Sequence, residues 1–283
     1  GFICYRDEPL CVKRKEEKMA KIGFIGMGNM GYAMLKGALK VFEKDDILFT
    51  RKNSVLGRSM EEETGVRFVE SNAELANNVK YLILAVKPQM YDQVIKNIEN
   101  VITKEHVVIS LAPGITIEYL TDMLGFDSRV VRAMPNTPAL LGEGMTGVSY
   151  DSSLFSLTEK EMIEKIFKSF GKYAVVDEKL MSAVVCASGS SPAYVYMFIE
   201  ALADSVVKYG VPRKDAYQMA AQTVMGAAKM VLETGKHPAE LKDAVCSPGG
   251  TTIAGVAALE EWGFRNSIIK ATDACYNKAE NIK

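Results

Sequence analysis

Between residues 21 and 176, short β-branched runs alternate with stretches of helical periodicity. The runs at 21–25, 47–50, 67–69, 81–86, 107–111 and 129–133 predict strands. Segments 32–39, 73–77, 89–98 and 117–124 predict helices, with Ser71 as an N-cap. Alternation in this order predicts an α/β domain, a doubly wound parallel sheet with helices on both faces. Two further runs, 145–150 and 173–176, flank a helix at 158–170 and extend the same sheet. Past Asp177 and Glu178 the alternation stops, and long helical stretches rich in Ala, Met and Val follow at 193–209, 215–233 and 251–262. The second part therefore reads as all-α. Its helices carry apolar residues on more than one stripe, as at 220–228, which fits either a face kept for a second subunit or an ordinary helical core.

Composition narrows this picture. With 283 residues, 48% of them hydrophobic, two domains are expected, divided as 19–178 and 179–283. Residues 1–18 are charge-rich and aperiodic, and Met19 is expected to be the natural start, with an added or disordered leader before it. A net charge of -1, from 34 basic and 35 acidic side chains without a basic block, argues against nucleic acid as a partner. No uninterrupted apolar stretch nears the roughly 20 residues that span a bilayer, and no signal-peptide pattern is present, so the expectation is a cytoplasmic protein away from membranes. Cys4, Cys11, Cys186, Cys246 and Cys275 are odd in number and scattered, which predicts free thiols and no metal site.

Chemistry enters at the end of the first strand, where Gly26-Met27-Gly28-Asn29-Met30-Gly31 forms G-x-G-x-x-G and opens a helix. Gly26 permits the tight turn, Gly28 lets backbone approach a pyrophosphate, and Gly31 lets helix and strand pack closely. The helix N-terminus then receives the phosphates. This makes the sheet a Rossmann-type dinucleotide-binding domain. An NAD-specific chain usually places an acid about 20 residues further on, but the second strand ends in Thr50-Arg51-Lys52-Asn53. Two cations there suit the 2′-phosphate of NADPH, with NADH as the alternative cofactor; a solvated basic turn gives the same sequence. Ala85, Val86, Lys87 and Pro88 end the fourth strand beside the switch-point crevice, where Lys87 either contacts the cofactor or caps the strand in solvent. The small-residue turn at Leu111, Ala112 and Pro113 would let a nicotinamide approach the fifth strand.

Four segments taken together, Ala85-Val86-Lys87-Pro88, Met134-Pro135-Asn136-Thr137-Pro138, Gly189-Ser190-Ser191-Pro192-Ala193-Tyr194 and 241–252, resemble pyrroline-5-carboxylate reductase, in the family's order and over about residues 19–281. The resemblance implies reduction of 1-pyrroline-5-carboxylate to proline with NAD(P)H, the last step of proline synthesis, by a homodimer or a ring of dimers. It also implies cofactor contacts at the glycine loop, Asn72, Val86, Lys87 and the turn from Leu111 to Pro113. The implied substrate loop is Ser247, Gly249, Gly250, Thr251 and Thr252, with Glu178 as an acid near the substrate. Two departures stand out, Ser191 where many relatives have Gly and Ala244 where some have Asn.

Read by itself, the 247–252 loop is a glycine-rich turn opening a helix, whose free N–H groups either bind a carboxylate or are simply capped. Imine reduction needs a hydride at carbon and a proton at nitrogen, so Thr252 is the candidate for a hydroxyl bonded to that nitrogen. His106 and His237 fall where structural roles suffice. Two rivals remain, a β-hydroxyacid dehydrogenase, for which Lys229 is the nearest imitation of a catalytic lysine, and a dinucleotide sensor without activity.

Overall fold

The computed structural model describes residues 21–125 and 128–281. The leader, with Cys4 and Cys11, lies outside the described residues; Cys186, Cys246 and Cys275 are free thiols. The chain runs β1 (Ile22–Ile25), α1 (Asn29–Ala38), β2 (Ile47–Thr50), α2 (Ser54–Thr64), β3 (Arg67–Phe68), α3 (Asn72–Asn77), β4 (Tyr81–Leu84), α4 (Tyr91–Ile98), β5 (Val107–Ser110), α5 (Ile117–Leu124), β6 (Arg129–Met134), β7 (Gly144–Ser149), α6 (Leu157–Lys168) and β8 (Gly171–Val175). Helices follow without further strands: α7 (Met181–Val184), a π-turn (Val185–Gly189), α8 (Ser191–Val207), α9 (Arg213–Thr234), α10 (Pro238–Ala244), α11 (Thr251–Glu261) and α12 (Phe264–Glu280).

The strands form one sheet in the order β3-β2-β1-β4-β5-β6-β7-β8. All neighbours are parallel except β6 and β7. A single-turn 3-10 segment, Thr137–Leu141, joins those two strands, too short for the crossover that a parallel pair needs. Register puts Ile25 beside both Thr50 and Leu84, so the carboxyl ends of the first, second and fourth strands are level at the switch point.

Alternation along the strands feeds two cores. Phe24, Ile83, Ile109 and Val131 point to one face and meet Met34, Leu35, Phe167 and Phe170. Ile25, Leu82, Leu84 and Val108 point to the other and meet Leu75, Val94, Ile95 and Leu120. Ser71 caps α3 as its sequence position predicts, accepting the Glu74 N–H at 3.1 Å.

Helix α6 is anchored by an acid that the core half-swallows. Glu159 closes a capping box with Ser156 and pairs with Lys80 at 2.7 Å and with Arg129. Burial pushes its carboxyl up, but Lys80, the Ser156 N–H and Arg129 together outweigh this and hold it at about 2, against an ordinary value of 4.5. A carboxyl depressed in the folded state stabilises fully above its unfolded pKa and loses that contribution as pH falls through the folded one. Glu159→Gln is therefore expected to cost about 2 to 3 kcal/mol near neutral pH. The difference from wild type should shrink between pH 4.5 and about 2. Urea titrations at both ends of that window test it; a loss independent of pH would contradict the ion cluster as its source.

The helical part has a small core of its own, Ala203, Ala216 and Ala220 between α8 and α9. Many apolar side chains on these helices face solvent, among them Trp262 at 84% and Leu232 at 80% exposure. The helical run Glu178–Val207 is long and apolar enough, by length and composition alone, to cross a membrane. The run still contains no uninterrupted apolar stretch of that length, because Ser, Gly and Pro are interspersed along it.

Candidate active site

The turn from β1 into α1 is shaped by its glycines. Gly26 has φ +96°, and a Cβ there would stand 2.6 Å from Val86 Cγ1 and 2.8 Å from the Ala85 carbonyl oxygen. A Cβ on Gly31 would stand 2.3 Å from the Gly26 carbonyl oxygen, so only glycine lets α1 sit this close to the strand end. Gly28, the N-cap of α1, has nothing within 4 Å of its Cβ position and no side chain caps the helix. The result is an open cradle of unpaired N–H groups at the positive end of a helix dipole.

That cradle is the centre of a groove of about 750 Å³ along the carboxyl edge of the sheet. Gly26, Met27, Gly28, Thr50, Arg51, Lys52, Asn72, Ala85, Val86 and Lys87 all line it, as the sequence expects. Thr50 is buried and its hydroxyl donates to Asn72 Oδ1 at 2.8 Å, which locks the end of β2 to the start of α3. Among the described residues, no ion pair engages Arg51 or Lys52. Two cations thus face the groove with their charge uncommitted. Met90, just before α4, and Gln93, Val94 and Asn97 of α4 line it too, which sequence reasoning missed because only the packing of α4 turns that face to the groove.

Ala85 and Val86 also line a second, smaller cavity of about 330 Å³, so the two spaces adjoin at the switch point. Met30, Leu111, Pro113, Met134 and Pro135 line it from the sheet half, and Val185, Gly189 and Ser190 from the π-turn. Leu111 and Pro113 are expected there; Asn29, Gly31, Pro88 and Ala112 lie in the same segments without lining either space. Beneath the junction Tyr91 is fully buried, with its hydroxyl donating to the Leu84 carbonyl at 3.0 Å and 3.0 Å from Ser110 Oγ. Burial pushes this phenol up to about 12, so it stays protonated and holds the ends of β4 and β5 together.

Glu178 lines neither space. Its Oε1 accepts from the Ile117 N–H at 2.8 Å and from Arg132 Nη1 at 3.0 Å, which clasps the start of the helical part to β6 and α5. Ser247, Gly249, Gly250, Thr251 and Thr252 also line neither space in the single chain. Their loop opens α11 with no side-chain cap, Gly249 has φ +68°, and Thr251 and Thr252 are exposed. The loop is thus, like the turn into α1, a glycine-rich helix start without a side-chain cap. Lys229 pairs with Glu233 at 3.5 Å on an exposed helix face, which fits a solvated pair better than a catalytic lysine. His106 bonds the Ala76 carbonyl and His237 caps α10, both structural.

Residues 21–114 match the family described as NADP oxidoreductase coenzyme F420-dependent, and 178–282 match pyrroline-5-carboxylate reductase dimerisation. Pyrroline-5-carboxylate reductase of Escherichia coli (strain K12) is 45% identical over 265 residues, 93% of this chain and 98% of that protein. The chain belongs to the pyrroline-5-carboxylate reductase family. Solved structures of the family superpose well: that of Coxiella burnetii is 34% identical with a TM-score of 0.86, covering 93% of this chain and 98% of its own. That of Plasmodium falciparum, with NADP bound, is 32% identical with a TM-score of 0.81, covering 93% and 97%.

Within the family frame, the exposed apolar helices are those that the dimerisation match covers, so water is not their final neighbour. Ser191, one of the two departures from the common pattern, is accommodated locally: its hydroxyl donates to the Ala187 carbonyl at 2.7 Å. Ala244 ends α10, next to the substrate-loop segment.

Proposed function

We propose that the protein reduces 1-pyrroline-5-carboxylate to L-proline, the last step of proline biosynthesis, as a cytoplasmic homodimer that can assemble further into a ring of dimers. The observation that carries this reading is a phosphate-ready groove adjoining a small apolar cavity, in a chain of this family. When bound, NADPH supplies the hydride. The chain's residues fit it: the uncapped start of α1 takes the pyrophosphate, Arg51 and Lys52 take the 2′-phosphate, and Asn72 and Lys87 border the ribose path. Leu111 and Pro113, which line the smaller cavity, serve the nicotinamide end, with Ala112 between them in the same turn.

Substrate recognition falls to the other uncapped helix start. Backbone N–H groups at Gly249, Gly250 and Thr251 bind the carboxylate beside Ser247, and the Thr252 hydroxyl bonds the ring nitrogen. The loop lines neither of the two cavities described above in its own chain, and in this reading it serves the cavity of the partner protomer. Glu178 contributes through the clasp to Arg132 and Ile117, which fixes the junction beside the substrate.

NADPH oxidation with pyrroline-5-carboxylate, run beside oxidation of a panel of hydroxyacids with NADP, tests the reaction; activity only in the second arm would refute it. Cofactor choice has its own test. A lost charge-assisted hydrogen bond costs about 1.5 to 3 kcal/mol, so Arg51→Ala should raise the KM for NADPH roughly 10-fold or more and spare NADH. Equal losses with both cofactors would remove Arg51 from the 2′-phosphate site.

A further inference from the structure

The segment Met134-Pro135-Asn136-Thr137-Pro138 contains a side chain that none of these roles uses. Asn136 is buried, next to Pro135 in the wall of the smaller cavity. Its Oδ1 accepts from the Met145 N–H at 2.8 Å and its Nδ2 donates to the Ser188 carbonyl at 3.0 Å. Those two partners fix the orientation of the amide, because one can only donate and the other only accept. A single side chain so joins the end of β6, the start of β7 and the π-turn that leads into α8.

Ser188 needs an outside donor for a reason written in the sequence. In a helix, the carbonyl of residue i accepts from the N–H of residue i+4. For Ser188 that residue is Pro192, which has no N–H. The Ala193 N–H beyond it bonds the Ser190 carbonyl at 3.1 Å, and the Ser190 N–H bonds the Val185 carbonyl at 2.7 Å, closing the π-turn. The half-buried Ser188 carbonyl is left without its regular helical partner, where an unmet acceptor is costly. Asn136 meets it from the sheet.

Around Ser188, the residues Val185, Gly189 and Ser190 line the same cavity as Leu111 and Met134. We infer that Asn136 is a positioning residue for hydride transfer: by supplying the donor that Pro192 removes, its amide fixes the π-turn against the sheet half and sets the width of the reaction end. The inference rests on the reduction proposed above. Asn136 acts through the π-turn and touches no reactant.

Asn136→Asp keeps an acceptor for the Met145 N–H but presents a carboxylate oxygen to Ser188. In the intact oligomer, turnover with pyrroline-5-carboxylate should fall about 10-fold, while the Kd for NADPH stays within about 2-fold because its groove is untouched. The primary isotope effect with 4-deuterated NADPH should rise, since a widened cavity slows the hydride step selectively. In the cofactor-free protein, hydrogen exchange across 185–191 should quicken. Pro192→Ala returns an N–H to Ser188, so in that background Asn136→Asp should cost less than about 3-fold. Should the single variant fail to fold, the double variant folding with protected exchange at 185–191 gives the same support. Equal costs in both backgrounds, or a loss of NADPH affinity matching the loss of turnover, would overturn the inference. A wild-type chain inert toward the imine would instead refute the reaction and leave the exchange comparison to decide the role of the amide.

Discussion

Mixing two inactive variants, Gly28→Asp and Gly250→Val, should restore about a quarter of wild-type activity. The first places a carboxylate in open space where the pyrophosphate belongs; nothing lies within 4 Å of its Cβ, so the fold is spared and only anion binding is lost. The second drives a Cβ to 2.4 Å from Ser247 Oγ and deforms the substrate loop. If each site combines the groove of one protomer with the loop of its partner, a mixed dimer has one site with both lesions and one with neither. Random pairing makes about half the dimers mixed, each half-active, hence about one quarter. Coexpression of separately tagged chains in equal amounts gives the readout: about one quarter of wild-type activity in the total dimer pool, and about one half in the doubly purified mixed dimer. A mixed dimer no more active than its parents would mean that each chain serves its own cavity.

Thr252→Ala should lower turnover roughly 10-fold to 100-fold with little change in substrate affinity. The hydroxyl stands in the first turn of α11, exposed and beyond the glycines, while the N–H groups for the carboxylate belong to the backbone. Alanine leaves those N–H groups and the helix dipole in place. What disappears is one hydrogen bond to a nitrogen that carries charge, worth about 1.5 to 3 kcal/mol in the transition state. Steady-state assays must be made where an isotope effect shows hydride transfer to limit the rate. Wild-type turnover there would leave Thr252 only a place in the helix start.

The parts of the fold visible in the sequence were those fixed by local chemistry. Gly26 needs its positive φ, Gly31 its lack of a Cβ, and Ser71 its cap, and each constraint acts within a few residues. Strands ran one or two residues past their observed ends, as at 81–86 against Tyr81–Leu84, because the chain stays extended while it leaves the ladder to line the groove. Less was visible of α2 and α12, since the first buries only Gly57 and the second buries nothing within its own chain, so neither carries a firm apolar stripe. The groove residues Gln93 and Asn97 and the pairing of Asn136 with Ser188 depend on how distant elements meet, which periodicity does not encode. Glu178 is the instructive middle case: the sequence marked it, and the structure gives it backbone and guanidinium partners at the junction.

The exposed apolar helices have a thermodynamic consequence. A lone chain carries Trp262, Leu232, Met219 and Met225 into water with a core of three alanines to hold α8 and α9 together. Removing that surface from water stabilises by roughly 25 cal/mol per Å², and the dimerisation match makes a second chain the means of doing it. Folding of this half and association are then a single equilibrium, and its midpoint rises with the logarithm of chain concentration. The sheet half, with both faces already covered, is free of that dependence. Dilution would therefore remove the capacity to turn over substrate before it removes the capacity to hold a nucleotide.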